Sequence, residues 1–207
     1  CTPLATLTTS NELALRNSKD ADTRDVLASN LEELQRMTGI VNDMLFLSQA
    51  DRGVSARRAY IGSLAQVASD VLDYHEAALA EAEVTAVIRG DATGTFDGPL
   101  LRRAVSNLLG NATRYATRGS EVRICIDPQT DGRVAISVEN QGAPVDPIDL
   151  PHFFDRFFRG DRSRTHAQTN HGLGLAIVGA IARMHAGKPF ATSKNGITRV
   201  GIDVTSR

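Results

Sequence analysis

The chain is short of several things, and each shortage narrows what it can be. Cysteine is scarce: Cys1 stands at the terminus and Cys125 lies inside the alternation Val122-Arg-Ile-Cys-Ile126. Two lone cysteines make no disulfide framework, which fits a reducing compartment, and Cys125 reads as a small buried hydrophobe. Neither sign of charge is in excess, with 23 Lys and Arg against 24 Asp and Glu. No polyanion-binding surface is advertised, so nucleic acid is not an expected partner. No apolar run reaches the length of a membrane span, and no signal-peptide pattern opens the chain, which therefore reads as soluble. The five histidines, at 75, 152, 166, 171 and 185, lack ligand-like spacing and exclude the usual structural metal motifs. Glycine and proline are nearly missing from the first fifty residues, which hold only Gly39 and Pro3.

That opening stretch predicts a helical hairpin. Leu4, Leu7 and Leu15 mark a helix ending before Asn17, and a second helix runs from about Asp22 to Ala50. Along it Leu27, Leu31, Leu34, Thr38, Val41 and Leu45 alternate steps of four and three, a heptad seam. A two-helix face is too narrow to be stable alone, so the seam predicts a four-helix bundle with a second copy, a homodimer through residues 4–50. Folding of the hairpin back onto the remaining domain is the alternative.

After Asp51-Arg-Gly53 the pattern becomes mixed. Strands are expected at 58–61, 84–89, 95–96, 122–126, 134–138, 189–192 and 197–204, with helices at 63–81, 101–116 and 173–185. Asp131-Gly132 and Asn195-Gly196 read as hairpin turns. The order predicts an α+β layer with helices on one face of a mostly antiparallel sheet, not a dinucleotide-binding fold. The domains are expected at 1–52 and 53–207.

The stretch Leu101 to Ala116 is the most informative. Leu101, Ala104, Val105, Leu108, Leu109 and Ala112 share one helical face, while Asn107 and Asn111 sit one turn apart on its flank, with Arg114 and Tyr115 beyond. The two carboxamides either bridge backbone or offer oxygens to a hard cation such as Mg²⁺, with Arg114 facing the same phosphates. Val138-Glu-Asn-Gln-Gly142 leaves a strand with Asn140 suited to the edge of a base and Gly142 allowing close approach, though a simple turn explains it equally. Gly172 and Gly174 open an apolar helix, where free amides favour phosphate and small residues also favour tight packing. Between these sites lie Phe153, Phe154, Phe157 and Phe158, then Arg156, Arg159, Arg162 and Arg164, a pattern fit for the anchor of a moving lid over 160–170 or for a satellite core.

In order and spacing these four stretches resemble the N, G1, F and G2 boxes of the sensor histidine kinases, most closely the heavy-metal branch. Met44-Leu-Phe-Leu-Ser48 resembles the close of a dimerisation helix and Thr2-Pro-Leu4 the tail of the phosphoacceptor box. The resemblance implies a dimeric helical hairpin followed by a Bergerat-type ATP-binding α/β sandwich. It implies ATP and Mg²⁺ as cofactors, with Asn111 on Mg²⁺, Asn107, Arg114 and Tyr115 beside the phosphates and nucleotide, Asn140 and Gly142 lining adenine, and Gly172, Leu173 and Gly174 framing the triphosphate. A response-regulator receiver domain is the implied phosphoryl acceptor, docking near Leu4 to Leu15. The parent protein is implied to lie at the cytoplasmic face of the inner membrane, anchored only through upstream segments.

Three departures from the family pattern stand out. Asn140 replaces an aspartate, Asn170 replaces the first glycine of the G2 box, and the phosphoacceptor histidine would fall three residues before Cys1. The expectation is a chain that binds Mg-ATP without phosphorylating itself, with Thr2 in a residual phosphatase role, and an engineered or incomplete N-terminus. A dimeric adaptor with a degenerate nucleotide site is the rival. Another ATPase of the same fold is disfavoured, because no glutamate between Leu100 and Arg118 could activate water.

Overall fold

The computed structural model describes residues 2–18, 20–159 and 171–206, without the side chains of Thr2 and Pro3. The chain divides into two compact units, Cys1–Ser48 and Gln49–Arg207.

The first unit is the expected hairpin, α1 (Thr2–Asn17) and most of α2 (Ala21–Asp51). Asp20 opens α2 by accepting from the Thr23 hydroxyl and the Thr23 amide, two bonds that pull its carboxyl below the ordinary carboxylate range. Leu4, Thr8, Asn11 and Leu15 of α1 turn inward, as do Leu27, Leu31, Leu34, Thr38 and Val41 of α2, all half-buried. Two apolar positions face outward, Leu7 of the first helix and Leu45 of the expected seam. Leu7 is 55% exposed and Leu45 51% exposed; the inward row of α1 runs through Leu4, Thr8 and Asn11, and near the end of α2 the buried residue is Leu47. Asn11 Nδ2 donates to the Leu27 carbonyl at 2.7 Å and ties the two helices.

The second unit holds two short paired strands, β1 (Ala59–Ile61) and β3 (Gly94–Phe96), and a five-stranded sheet in the order β2-β4-β5-β7-β6. The strands are β2 (Thr85–Arg89), β4 (Glu121–Pro128), β5 (Arg133–Gln141), β6 (Lys188–Lys194) and β7 (Ile197–Thr205). Among the described strands only β2 and β4 run parallel. The helices α3 (Leu64–Glu81), α4 (Gly98–Tyr115) and α5 (Gly174–Met184) pack against the sheet. Period-two alternation decides which face they cover: Val122, Ile124, Ile126, Val134, Ile136, Val138, Val200, Ile202 and Val204 are all buried.

The same alternation corrects the reading of Cys125. It lies between Ile124 and Ile126, so it points to the opposite face and is only half-buried. Desolvation, followed by the nearby Glu139 carboxylate, pushes its thiol up. That opposite face is finished by Arg199, which donates to Ser137 Oγ at 2.9 Å and Asp127 Oδ2 at 2.7 Å and lies over the Phe190 ring. The buried Ser137 hydroxyl thereby has a partner, and the sheet needs no second helical layer there.

Candidate functional site

α4 begins where Asp97 accepts from the Leu100 amide at 3.2 Å, with Pro99 in the first turn. Its apolar face, Leu101 through Ala112, is buried as the spacing required. Asn107 and Asn111 lie half-buried on the flank, while Arg114 and Tyr115 stand exposed at the helix end. Asn107 Nδ2 donates back to the Arg103 carbonyl at 3.0 Å, which fixes the amide and leaves Oδ1 facing the start of α5. A Cβ added at Gly174 would lie 3.0 Å from that oxygen. The nitrogen end of the Asn107 amide therefore makes the backbone bridge, and its oxygen end lies against Gly174. The Asn111 carboxamide makes no hydrogen bond among the described residues.

α5 starts at Gly174 with Leu173 before it and no side-chain cap, so among the described residues no side chain claims its first amides at the positive end. Leu173 itself is buried and anchors the turn. Gly172 has φ +68°, and a Cβ there would come within 2.8 Å of the Phe157 backbone, so only glycine fits. The Phe157 amide donates to the Gly172 carbonyl at 3.0 Å, joining the phenylalanine cluster to the helix start. Phe153 and Phe158 pack with ring centroids 6.5 Å apart, and Phe154 rests on Gly179, whereas Phe157 is exposed. Arg156 pairs with Asp51 at 2.6 Å. Arg162, Arg164 and Asn170 lie outside the described residues, as does the side chain of Thr2.

Asn140, 4% exposed, closes the core side of β5 and pairs across the ladder with Thr198 of β7. Gly142 is next to it: a Cβ there would collide with the Tyr115 carbonyl and sit 3.1 Å from Asn140 Nδ2. The Thr117 amide donates to the Gln141 carbonyl and the Gly142 amide to the Gly196 carbonyl, so the end of α4, the end of β5 and the β6–β7 turn meet here. Two groupings result. One joins Asn107 to Gly174 and the open end of α5; the other joins Asn140, Gly142, Thr198 and the Tyr115 backbone. Thr198 is the neighbour that sequence spacing missed, since only the β5–β7 register reveals it.

A second missed residue is His185. It is fully buried. Its Nε2 accepts from the Asp97 amide at 3.1 Å and its Nδ1 donates to the Ile181 carbonyl at 2.9 Å, which fixes one neutral tautomer. Burial pushes its pKa below the ordinary histidine value; Arg58 acts the same way, and the Ile181 bond and Asp97 oppose. Asp97 Oδ2 also accepts from the Arg57 amide at 2.7 Å. The far end of α5 is thus clamped to the first turn of α4.

The donor set fits Mg²⁺ in one manner only. Among the described residues no group of three His, Cys, Asp or Glu could hold a metal ion, so an all-protein cage is absent. A carboxamide oxygen without a protein partner beside an open helix N-terminus suits an ion that keeps its waters and arrives with phosphate.

Comparison with known proteins agrees with this geometry. Residues 96–205 match the histidine kinase-, DNA gyrase B- and HSP90-like ATPase family, and residues 2–53 match the His kinase A phospho-acceptor domain. The chain belongs to the sensor histidine kinases. The sensor histidine kinase CusS of Escherichia coli K12 is 43% identical over 97% of this chain, and the sensor protein CzcS of Cupriavidus metallidurans 34% identical over 93%. This histidine kinase chain spans 42% of the former and 40% of the latter, less than half of each relative. Among solved structures, full-length ShkA in complex with AMPPNP superposes with TM-score 0.81 at 21% identity, over 98% of this chain and 45% of that one. The fold is therefore a phosphoacceptor-type hairpin with an ATPase-type sandwich, as expected from the motifs.

Proposed function

We propose that this chain is the dimerising and Mg-ATP-binding part of a heavy-metal-type sensor histidine kinase, with a hairpin over 1–52 and a catalytic domain over 53–207. The observation that carries the reading is the meeting of Asn107 Oδ1 with Gly174 at the uncapped start of α5, one turn below the unpartnered Asn111. There Gly172, Leu173 and Gly174 present backbone amides to the phosphates, Asn107 and Asn111 supply oxygens, and Arg114 adds a cation at the open rim. Mg²⁺, when bound through Asn111, would neutralise charge on the phosphates. Asn140 and Gly142 receive the adenine, with Tyr115 at the nucleotide's edge. Catalysis by such a site is chiefly positioning and charge stabilisation.

In the whole protein the γ-phosphoryl group would pass to a phosphoacceptor histidine and then to a receiver-domain aspartate. Within residues 1–207 the activity is nucleotide binding, with Thr2 available for a phosphatase role. The half-buried seam of the hairpin supports a homodimer, and the α1 surface from Leu4 to Leu15 supports receiver docking. No helix among the described residues is long and apolar enough to cross a membrane; attachment at the cytoplasmic face would come through segments outside this chain.

Calorimetric titration with a non-hydrolysable ATP analogue, with and without Mg²⁺, tests the reading. Micromolar binding that needs Mg²⁺ and changes in Asn111→Asp is the expected result. No binding by folded protein would replace it with the dimeric adaptor.

A further inference from the structure

On the helix-facing side of the β5–β7 ladder the pairs Val134 with Val204, Ile136 with Ile202 and Val138 with Val200 are apolar and buried, and the row ends at Asn140 with Thr198. Asn140 is 4% exposed, its carboxamide makes no hydrogen bond among the described residues, and neither end of that amide is shut off from solvent. The hydroxyl of its cross-strand partner Thr198 pairs with Ser193 Oγ at 3.1 Å instead. An amide that reaches the opening of a site with no protein partner is free to take the edge of a ligand.

The chemistry of that amide decides what edge it accepts. A carboxylate at this position would offer acceptors only, and would favour a 6-amino purine while repelling a 6-oxo one. A carboxamide carries an acceptor and two donors on one uncharged group, and a half-turn about its last bond exchanges them. At Asn140 no protein partner holds either end in place. Gly142, whose missing Cβ leaves the room beside Asn140 Nδ2, has already given its own amide to the Gly196 carbonyl. It therefore aims no fixed donor at the protonated N1 of a 6-oxo purine.

We propose that Asn140 makes this site tolerant at position 6 of the base, so that it takes 6-oxopurine nucleoside triphosphates as well as ATP. The inference rests on the nucleotide reading above and adds the base preference to it.

The test is calorimetric titration of the full chain with the Mg²⁺ complexes of ATP, ITP and GTP, and the same with Asn140→Asp. The affinity for ITP is expected within about tenfold of that for ATP, and the aspartate variant is expected to widen the gap to about a hundredfold or more. GTP weaker than ITP still supports the inference, because those two differ only by the 2-amino group. ATP bound with ITP about a hundredfold weaker in the unaltered chain overturns it and leaves the nucleotide reading standing. Folded protein that binds none of the three overturns both. Should the aspartate variant fail to fold, the ATP-to-ITP ratio of the unaltered chain decides alone.

Discussion

The two units of this chain are stabilised in opposite ways. Among the described residues of Cys1–Ser48 only Leu47 is buried, while Leu7, Leu13, Val26, Met37, Met44 and Leu45 are exposed by about half or more of their surface. The α+β unit instead closes its own core around Phe96, Leu101, Leu108, Leu109, Ile124, Ile136, Ile181 and Ile202, each under 2% exposed or close to it. One unit lacks an enclosed core and the other has one. A helical pair without a core draws its order from association, whereas a sheet backed by three helices draws it from its own burial.

This contrast can be broken or sharpened by experiment. The largest effect is expected from Phe96→Ala, which empties a fully buried site and should cost about 3–5 kcal/mol. Denaturant unfolding of the α+β unit, independent of protein concentration, is the readout. A lysine in place of Leu31 should act on the other unit alone: sedimentation should show at least about tenfold weaker self-association, with the α+β transition unmoved. If both transitions shift together, the two units are not separately stabilised.

A third effect is smaller and belongs to one unit by composition, since no histidine lies in residues 1–48. His185 and His75 both have pKa values pushed down by burial. The unfolded chain therefore binds more protons than the folded one just below the ordinary histidine value of about 6.5. Stability of the α+β unit should be full above that pH and fall as acid titrates toward the lowered values, while hairpin association stays flat. His185→Gln should cost about 1–2 kcal/mol at pH 8 and reduce the slope, leaving the His75 part. The smallest change is expected from Arg156→Ala. Its pair with Asp51 is half exposed on both sides, so the loss should be at most about 1 kcal/mol, read as a small shift in Tm.

Much of this architecture is legible in the residues because the decisive patterns are local. Periodicity of 3.6 placed α4 and its apolar face, and Asp131-Gly132 and Asn195-Gly196 marked the β4–β5 and β6–β7 turns. What was not legible depends on distant partners. The parallel pairing of β2 with β4 joins strands more than thirty residues apart, and nothing in either strand names the other. His185 read as one of five scattered histidines, because its partner Asp97 lies eighty-eight positions away. Thr198 gained its place only from register. Cys125 was the exception: its face could be read from its flanking isoleucines, since an alternating strand that buries 124 and 126 must turn 125 outward.

Clamping by His185 has a mechanical consequence. α4 and α5 are held at two points, Asp97 against His185 at one end and Asn107 against Gly174 further along. Two rods fixed at two places cannot scissor, so this wall of the pocket is stiff. Beyond the second contact α4 runs on for two turns past the start of α5, its inner face still held in the core by Leu108, Leu109 and Ala112, and carries Asn111, Arg114 and Tyr115 on its outer side. The two-helix wall is thus the anvil of this unit, the side that stays in place.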